Sequence, residues 1–417
     1  MSELQSNVQP TERIVWLDVW RGFALFGILV INITGFAWPM IYLESLKLPV
    51  FENGLDHLLE TGINWLIQGK FYTLFSLLFG AGFYLFLQKA EQKGYSPRWL
   101  FIKRIMILIG FGLLNAFFLW WGDILLNYAV CGLFLVLFAK ISARAMLNWA
   151  FVLVLILSLL MQFSVSMTQK AMDTGQAELI EQANEADRIE LEAAYERSFV
   201  SYRSTSFERV NEQRVMDWRY LSGNLFAVPF VILPIFLIGA AIVKSGYLAR
   251  LQQDQAFLRK VWLASLGIGV LFTALKEFSS ANFAYGEFNS YVVGEFAFGW
   301  VGDLGLAIFY ATSLLRLATF PKTAAFLMNL QWAGRMALTN YLMQAVFCTL
   351  IFYGPFLGLY GSVGMFGLLA FAVGIYALQV VYSKWWFARF SFGPAEWVWR
   401  KLTYGRLFNR REQPSDN

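Results

Sequence analysis

The sequence predicts an all-α fold: a polytopic membrane bundle of about ten transmembrane helices, with an external helical insertion and a C-terminal interfacial segment. Three observations predict it. Apolar stretches recur at about the 20-residue length that a helix needs to cross the hydrocarbon core. Lys and Arg collect on one side of those stretches, turn after turn. The loops on the other side are short or acidic, as with Glu44, Glu52, Asp56 and Glu60. Basic residues mark the cytoplasmic side, so the pattern places both termini in the cytoplasm.

The elements follow in chain order. Spans near 14–38, 64–88, 102–121, 122–140 and 146–167 form an N-terminal bundle over residues 1–167, and the third and fourth share a tight turn. Their cytoplasmic flanks carry Arg13, then Lys89, Arg98 and Arg104, then Lys140 and Arg144. Residues 168–222 are rich in Glu and Arg, contain no Pro, and set Leu191, Tyr195, Phe199 and Tyr202 along one helical stripe. They read as an external helical hairpin, either a solvated cap or a lid over a pocket. Spans near 223–243, 260–280, 292–315, 325–351 and 362–386 form a C-terminal bundle over 223–388. The tail, 389–417, mixes Trp397, Trp399 and Tyr404 with Arg389, Arg400, Lys401 and Arg406. Aromatic and basic residues together suit an anionic membrane surface.

Of 417 residues, 58% are hydrophobic and only 15% charged, which excludes an ordinary soluble domain. The net charge of +5 sits where topology requires it, so membrane lipids and not nucleic acid are the expected partners. A small-molecule substrate and self-association both remain open. Cys131 and Cys348 fall inside predicted spans and read as buried thiols. His57 is the single histidine, so a histidine-rich site is impossible and no metal is expected.

An ionisable group inside a membrane is costly, and each one invites a functional reading. Two clusters emerge when depth is counted at about 1.5 Å per residue. Asp18, Arg21 and Arg335 lie toward the cytoplasm. They form either an ion pair that fixes helix register or an arginine site for the phosphates of a carrier. Lys70, Asn115, Asp123, Lys276, Glu277, Glu295 and Asp303 lie toward the outside. Asp303 is set well inside its span, whereas Asp123 could equally cap the helix that follows it. Asn32, Thr339, Asn340 and Gln344 add polar groups within spans, as helix glue or as ligand contacts. His57, in the first external loop, is a candidate base, since histidine is the side chain whose charge ordinarily changes near neutral pH.

Five stretches carry a family resemblance. They are Leu17-Asp18 with Arg21-Gly22-Phe23-Ala24-Leu25 and Asn32; Lys70-Phe71 with Leu74-Phe75-Ser76-Leu77-Leu78-Phe79-Gly80; Trp121-Gly122-Asp123-Ile124-Leu125 with Tyr128; Gly334-Arg335-Met336-Ala337-Leu338-Thr339-Asn340-Tyr341 with Gln344; and Phe392-Gly393-Pro394-Ala395-Glu396-Trp397. Spread over nearly the whole chain, they resemble the YeiB-like family of bacterial multi-spanning membrane proteins, a domain of unknown function. That family is similar in turn to the transmembrane acyltransferase group. The resemblance implies a multi-pass protein of the bacterial cytoplasmic (inner) membrane. The wider similarity implies acyl transfer from cytoplasmic acyl-CoA to an external hydroxyl or amine. Asp18, Arg21, Lys70, Arg335, Asn340 and Asp303 would then bind carrier or substrate, and Asp123, His57 and Asn115 would serve the chemistry. Where compared members have a histidine before the Trp-Gly-Asp motif, this chain has Asn115, which can donate to an oxyanion but cannot take a proton. Three functional classes follow: an acyltransferase-like enzyme, a transporter or lipid-handling protein using the same cavities, and a structural or regulatory membrane protein.

Overall fold

The computed structural model describes residues 14–51, 54–223 and 227–405. Arg13, Glu52 and Arg406, singled out above, lie outside these residues. Among those described there are only helices and their connections, and the chain is an all-α polytopic bundle. Seven helices are long and apolar enough to cross a membrane, a bent pair makes an eighth, and two shorter apolar helices complete the set.

The first helix, α1 (Val15–Ala37), ends where Trp38-Pro39 turns the chain into short α2 (Met40–Ser45). Next come α3 (Gly54–Leu66) and α4 (Lys70–Gln92), separated at Gly69, whose φ of 81° favours glycine. Helix α5 (Pro97–Phe118) opens with Pro at its first position, and α6 (Leu125–Leu135) follows a six-residue connection. Ser142 caps α7 (Ala143–Ala171), which gives way at Gly175 (φ 92°) to α8 (Ala177–Arg203) and α9 (Phe207–Ser222). Then α10 (Val228–Lys244) and α11 (Tyr247–Gln253) meet at 63° across Gly246. Asp254 caps α12 (Gln255–Ser280), and Asn289 caps α13 (Ser290–Leu317). The chain finishes with α14 (Pro321–Leu327), α15 (Leu330–Arg335), α16 (Ala337–Phe352), α17 (Met365–Phe387) and α18 (Pro394–Tyr404).

Two predicted spans are shorter than expected. The stretch 122–140 is an 11-residue helix with a tight final turn, and 325–351 is broken at Met336 into α15 and α16. At about 1.5 Å per residue, neither α6 nor α16 alone reaches across a hydrocarbon core.

Helix α1 is the central post. It packs on α15, α4, α17 and α16, while α10 packs on α4, α7 and α6. Elements from the two halves of the chain thus interleave. The α1–α15 crossing is backbone to backbone: a Cβ at Gly22 would run into the carbonyl of Leu330, and one at Gly334 into that of Asp18. Gly269, Gly302 and Gly305 do the same for the α12–α13 pair.

The α8–α9 hairpin sits over one end of the bundle, called here the insertion end. Leu191 and Tyr202 of the predicted stripe are buried, and Phe199 meets Trp38 and Tyr360 edge-on. Arg203 donates to the carbonyls of Tyr360 (2.9 Å) and Gly361 (3.0 Å), and Arg214 to that of Phe117 (3.1 Å). At the opposite, basic end, α18 docks through Trp399. Its indole donates to the Arg104 carbonyl at 2.8 Å, and the Arg104 guanidinium lies 3.7 Å from the ring centre. Glu396 accepts hydrogen bonds from the backbone N–H groups of Leu338 (2.8 Å) and Thr339 (3.1 Å), capping α16 from a separate helix.

Candidate functional site

The turn between α5 and α6 is built from Trp120, Trp121, Gly122 and Asp123. Helix α5 ends because the amides of Leu119 and Trp120 both donate to the Asn115 carbonyl, at 2.9 and 2.8 Å. Trp120 then stacks on Phe36 of α1, with centroids 4.4 Å apart. Gly122 lies over the Trp120 ring, where a Cβ would come within 2.6 Å. Asp123 closes the turn by accepting from the Leu126 amide at 2.9 Å, so it does cap α6.

The same carboxylate is held from two other helices. Asn115 of α5 donates to Oδ1 at 2.7 Å, and the Tyr341 hydroxyl of α16 reaches it at 3.4 Å. Tyr341 in turn accepts from the Ile124 amide at 3.2 Å. Asp123 is only 5% exposed, and no Lys or Arg among the described residues pairs with it. Gly112 permits this closeness, because a Cβ there would meet the Leu126 nitrogen at 2.7 Å.

Asp123 also forms part of the wall of a cavity of about 450 Å³. Ile28, Ile31 and Asn32 of α1 line it, as do Phe71 and Tyr72 beside the α3–α4 break. Asn127 of α6 faces it, and Val228, Val231 and Ile232 of α10 close it near the end of the insertion. The lining is mostly apolar. Asp123, Asn32 and Asn127 are its main polar groups, the composition expected of a pocket that orients a ligand by a few contacts.

The other predicted residues fall into separate places. Lys70, fully buried, forms an ion pair with Asp303 at 3.1 Å and also donates to the Asn64 carbonyl at 3.3 Å. The Asp303 carboxylate packs against Gly69, where no side chain would fit, so this pair stands directly behind the cavity wall. Lys276 and Glu277 pair with each other at 3.1 Å, and Glu295 with Lys47 at 3.6 Å. Asp18 and Arg21 pair within α1 at 3.1 Å. Arg335 packs its guanidinium 3.9 Å from the Phe387 ring centre. Asn340 belongs to a buried network, donating to Ser383 (3.0 Å) and the Ala333 carbonyl (3.2 Å), with Gln379 donating to its own carbonyl (2.8 Å). His57 is exposed, its ring nitrogen 2.8 Å from the Phe51 carbonyl, and it does not line the cavity. Of the residues grouped toward the outside, the structure joins Asn115 to Asp123 and Lys70 to Asp303, and it places His57 and Asn340 apart from both pairs.

A further buried acid, Asp217 of α9, went unnoticed in the sequence. Tyr42 and Tyr202 donate to its two oxygens at 2.5 Å each, and Gln213 donates at 2.7 Å. Burial pushes the Asp217 carboxyl above the usual carboxylate range, against the lowering effect of those donors. A polar i, i+4 pair within a charged helix looks like solvated surface, so no sequence signal marks it.

This fold and site define a class: a polytopic α-helical membrane protein with a largely apolar cavity and a buried acid in its wall. The chain is 33% identical over 416 residues to uncharacterized protein YxaH of Bacillus subtilis (strain 168), covering 96% of this chain and 97% of that one. It is 31% identical over 408 residues to uncharacterized protein YeiB of Escherichia coli (strain K12), covering 94% and 96%. The family model described as "Protein of unknown function (DUF418)" matches residues 242–406. No solved structure gives a significant match. The chain belongs to the YeiB-like family.

Proposed function

We propose that this protein lies in the bacterial cytoplasmic membrane with its basic end inside, and that it handles an amphipathic small molecule bound in the cavity. The observation that carries the reading is the cavity itself: about 450 Å³, mostly apolar, with one carboxylate and two carboxamides at its wall. An acyl-like chain fits the apolar lining, and a small polar head fits Asp123, Asn32 and Asn127. The basic end carries Lys89, Arg104, Arg144 and Lys384, which supports a cytoplasmic placement of that end and of both termini. Native mass spectrometry of the gently extracted protein tests the binding. A bound amphiphile should appear in the native chain and disappear in a cavity-filling Val231→Trp variant of unchanged melting behaviour. Identical spectra for the two proteins would refute it.

One observation favours a second reading, acyl transfer. Asp123 stands at the cavity wall with Asn115 beside it, so a carboxylate is in place to take a proton from an acceptor. The carrier side has weaker support, since Arg21 is already matched by Asp18 and Arg335 lies on aromatic rings. Release of free CoA from acetyl- through palmitoyl-CoA by the reconstituted protein, lost in Asp123→Asn, would establish this reading. No release above empty liposomes would remove it.

A further inference from the structure

We infer that the cavity selects an amphiphile whose head is cationic, an ammonium group on an apolar chain. This deepens the reading above and rests on it. The argument begins with a charge imbalance. Asp123 is a buried acid with three neutral donors and no cationic partner among the described residues. Neutral hydrogen bonds orient a carboxylate but supply no opposite charge, and an uncompensated charge in an apolar wall is costly. Lys70, the buried cation of α4, is held by Asp303. No Lys, Arg or His among the described residues lines the cavity, and the sequence has none from 221 to 232. A guest that brings a positive charge balances that acid.

The other polar groups accommodate such a head. Asn32 and Asn127 line the cavity from α1 and α6, and neither side chain has a hydrogen-bond partner among the described residues. Their carboxamide oxygens can accept from a guest's head alongside the Asp123 carboxylate, and being neutral they leave the choice of charge to Asp123. An ammonium group is rich in donors, and its charge is complementary. Phe71 and Tyr72 line the same cavity and supply ring surface that a cation favours over a neutral or anionic head. A sulfate or carboxylate head meets the opposite conditions, with an acid in the wall and no cation to receive it.

The test uses the full-length protein in nanodiscs with four probes sharing one chain: dodecylammonium, dodecyltrimethylammonium, dodecanol and dodecyl sulfate. Dodecylammonium is expected to bind at least about tenfold more tightly than dodecanol, the scale of a charge-assisted contact over a neutral one. Asp123→Asn should abolish that preference, so that dodecylammonium and dodecanol bind alike. Asn127→Leu, which leaves the α6 cap intact, should weaken dodecylammonium several-fold, and it keeps the test usable if the Asp123 variant does not fold. Equal binding of dodecylammonium and dodecanol, or tightest binding of dodecyl sulfate, would overturn the inference while the amphiphile reading survives. Failure of all four probes to bind in a Val231→Trp-sensitive manner would instead overturn that reading itself.

Discussion

The Lys70–Asp303 pair offers the sharpest test of how this bundle tolerates charge. Lys70 has no exposed surface, and its partners among the described residues are Asp303 at 3.1 Å and the Asn64 carbonyl at 3.3 Å. The Asp303 side chain keeps 22% exposure. Removing one member of a buried pair costs about 3–5 kcal/mol, because the survivor's charge is left uncompensated. The asymmetry in exposure orders the two variants. Lys70→Met leaves an acid that can turn toward solvent, so its cost falls near about 3 kcal/mol. Asp303→Asn leaves an ammonium with no route to water, so its cost falls near about 5 kcal/mol unless the lysine gives up its proton. The double variant removes both charges and should recover most of the loss, giving a coupling of at least about 2 kcal/mol. Reversible unfolding in mixed micelles measures all four corners of the cycle. Additive single effects, with coupling below about 0.5 kcal/mol, would show that the pair does not act as a unit.

Three further predictions follow from individual contacts. Gly334→Ala places a methyl against the Asp18 carbonyl, and because both walls are backbone the cost should reach about 3 kcal/mol, read as a lowered melting temperature; an unchanged melt would refute the close crossing. Glu396→Ala removes the acceptor for two α16 amides and for the Thr339 hydroxyl (2.6 Å), which should cost about 2–4 kcal/mol and expose Lys401 to trypsin, whereas Glu396→Gln should cost less. The Asp217 carboxyl is raised by burial, so its contribution is fully present below the unfolded value of about 4 and is lost as pH rises through the elevated folded value. Hydrogen exchange in α9 should therefore quicken as pH rises from about 4, after correction for intrinsic rates, and Asp217→Asn should flatten the difference. The neighbouring charge on Arg214 opposes this shift, so a protection that instead grows with pH would assign control to that arginine.

Much of the bundle is legible in the sequence because its rules are local. Hydrophobic length marks the spans, and Gly69, Gly175 and Gly246 mark breaks through positive φ. The break at Met336 is hidden, because Gly334 is used for packing on α1 and no Pro or positive-φ glycine marks the kink. Pairing is harder to read than burial. The depth of Asp303 follows from counting residues, but its choice of Lys70 over the nearer Lys276 depends on the α4–α13 contact. Asp123 is legible as a cap from its position before α6, yet the Tyr341 hydroxyl comes from 218 residues away. His57 draws attention through its chemistry alone, and its place on the surface depends on the turn of α3.

The contrast between Asp303 and Asp123 separates two uses of a buried acid. Asp303 is matched by a lysine that has no other role available to it, and such a pair can hold α4 against α13 without any guest. Its loss is a matter of stability and should be repaired by removing both charges. Asp123 has donors that orient it and, among the described residues, no cation that neutralises it, although Lys70 stands behind the same cavity wall. A bundle selected for stability alone gains nothing from leaving that acid unmatched, since a neutral Asn could cap α6 nearly as well. If Asp123→Asn stabilises the empty protein while weakening its hold on a cationic amphiphile, the acid is kept for the ligand. If the same change destabilises the protein and leaves binding untouched, Asp123 is a cap and the cavity takes its guests without regard to charge.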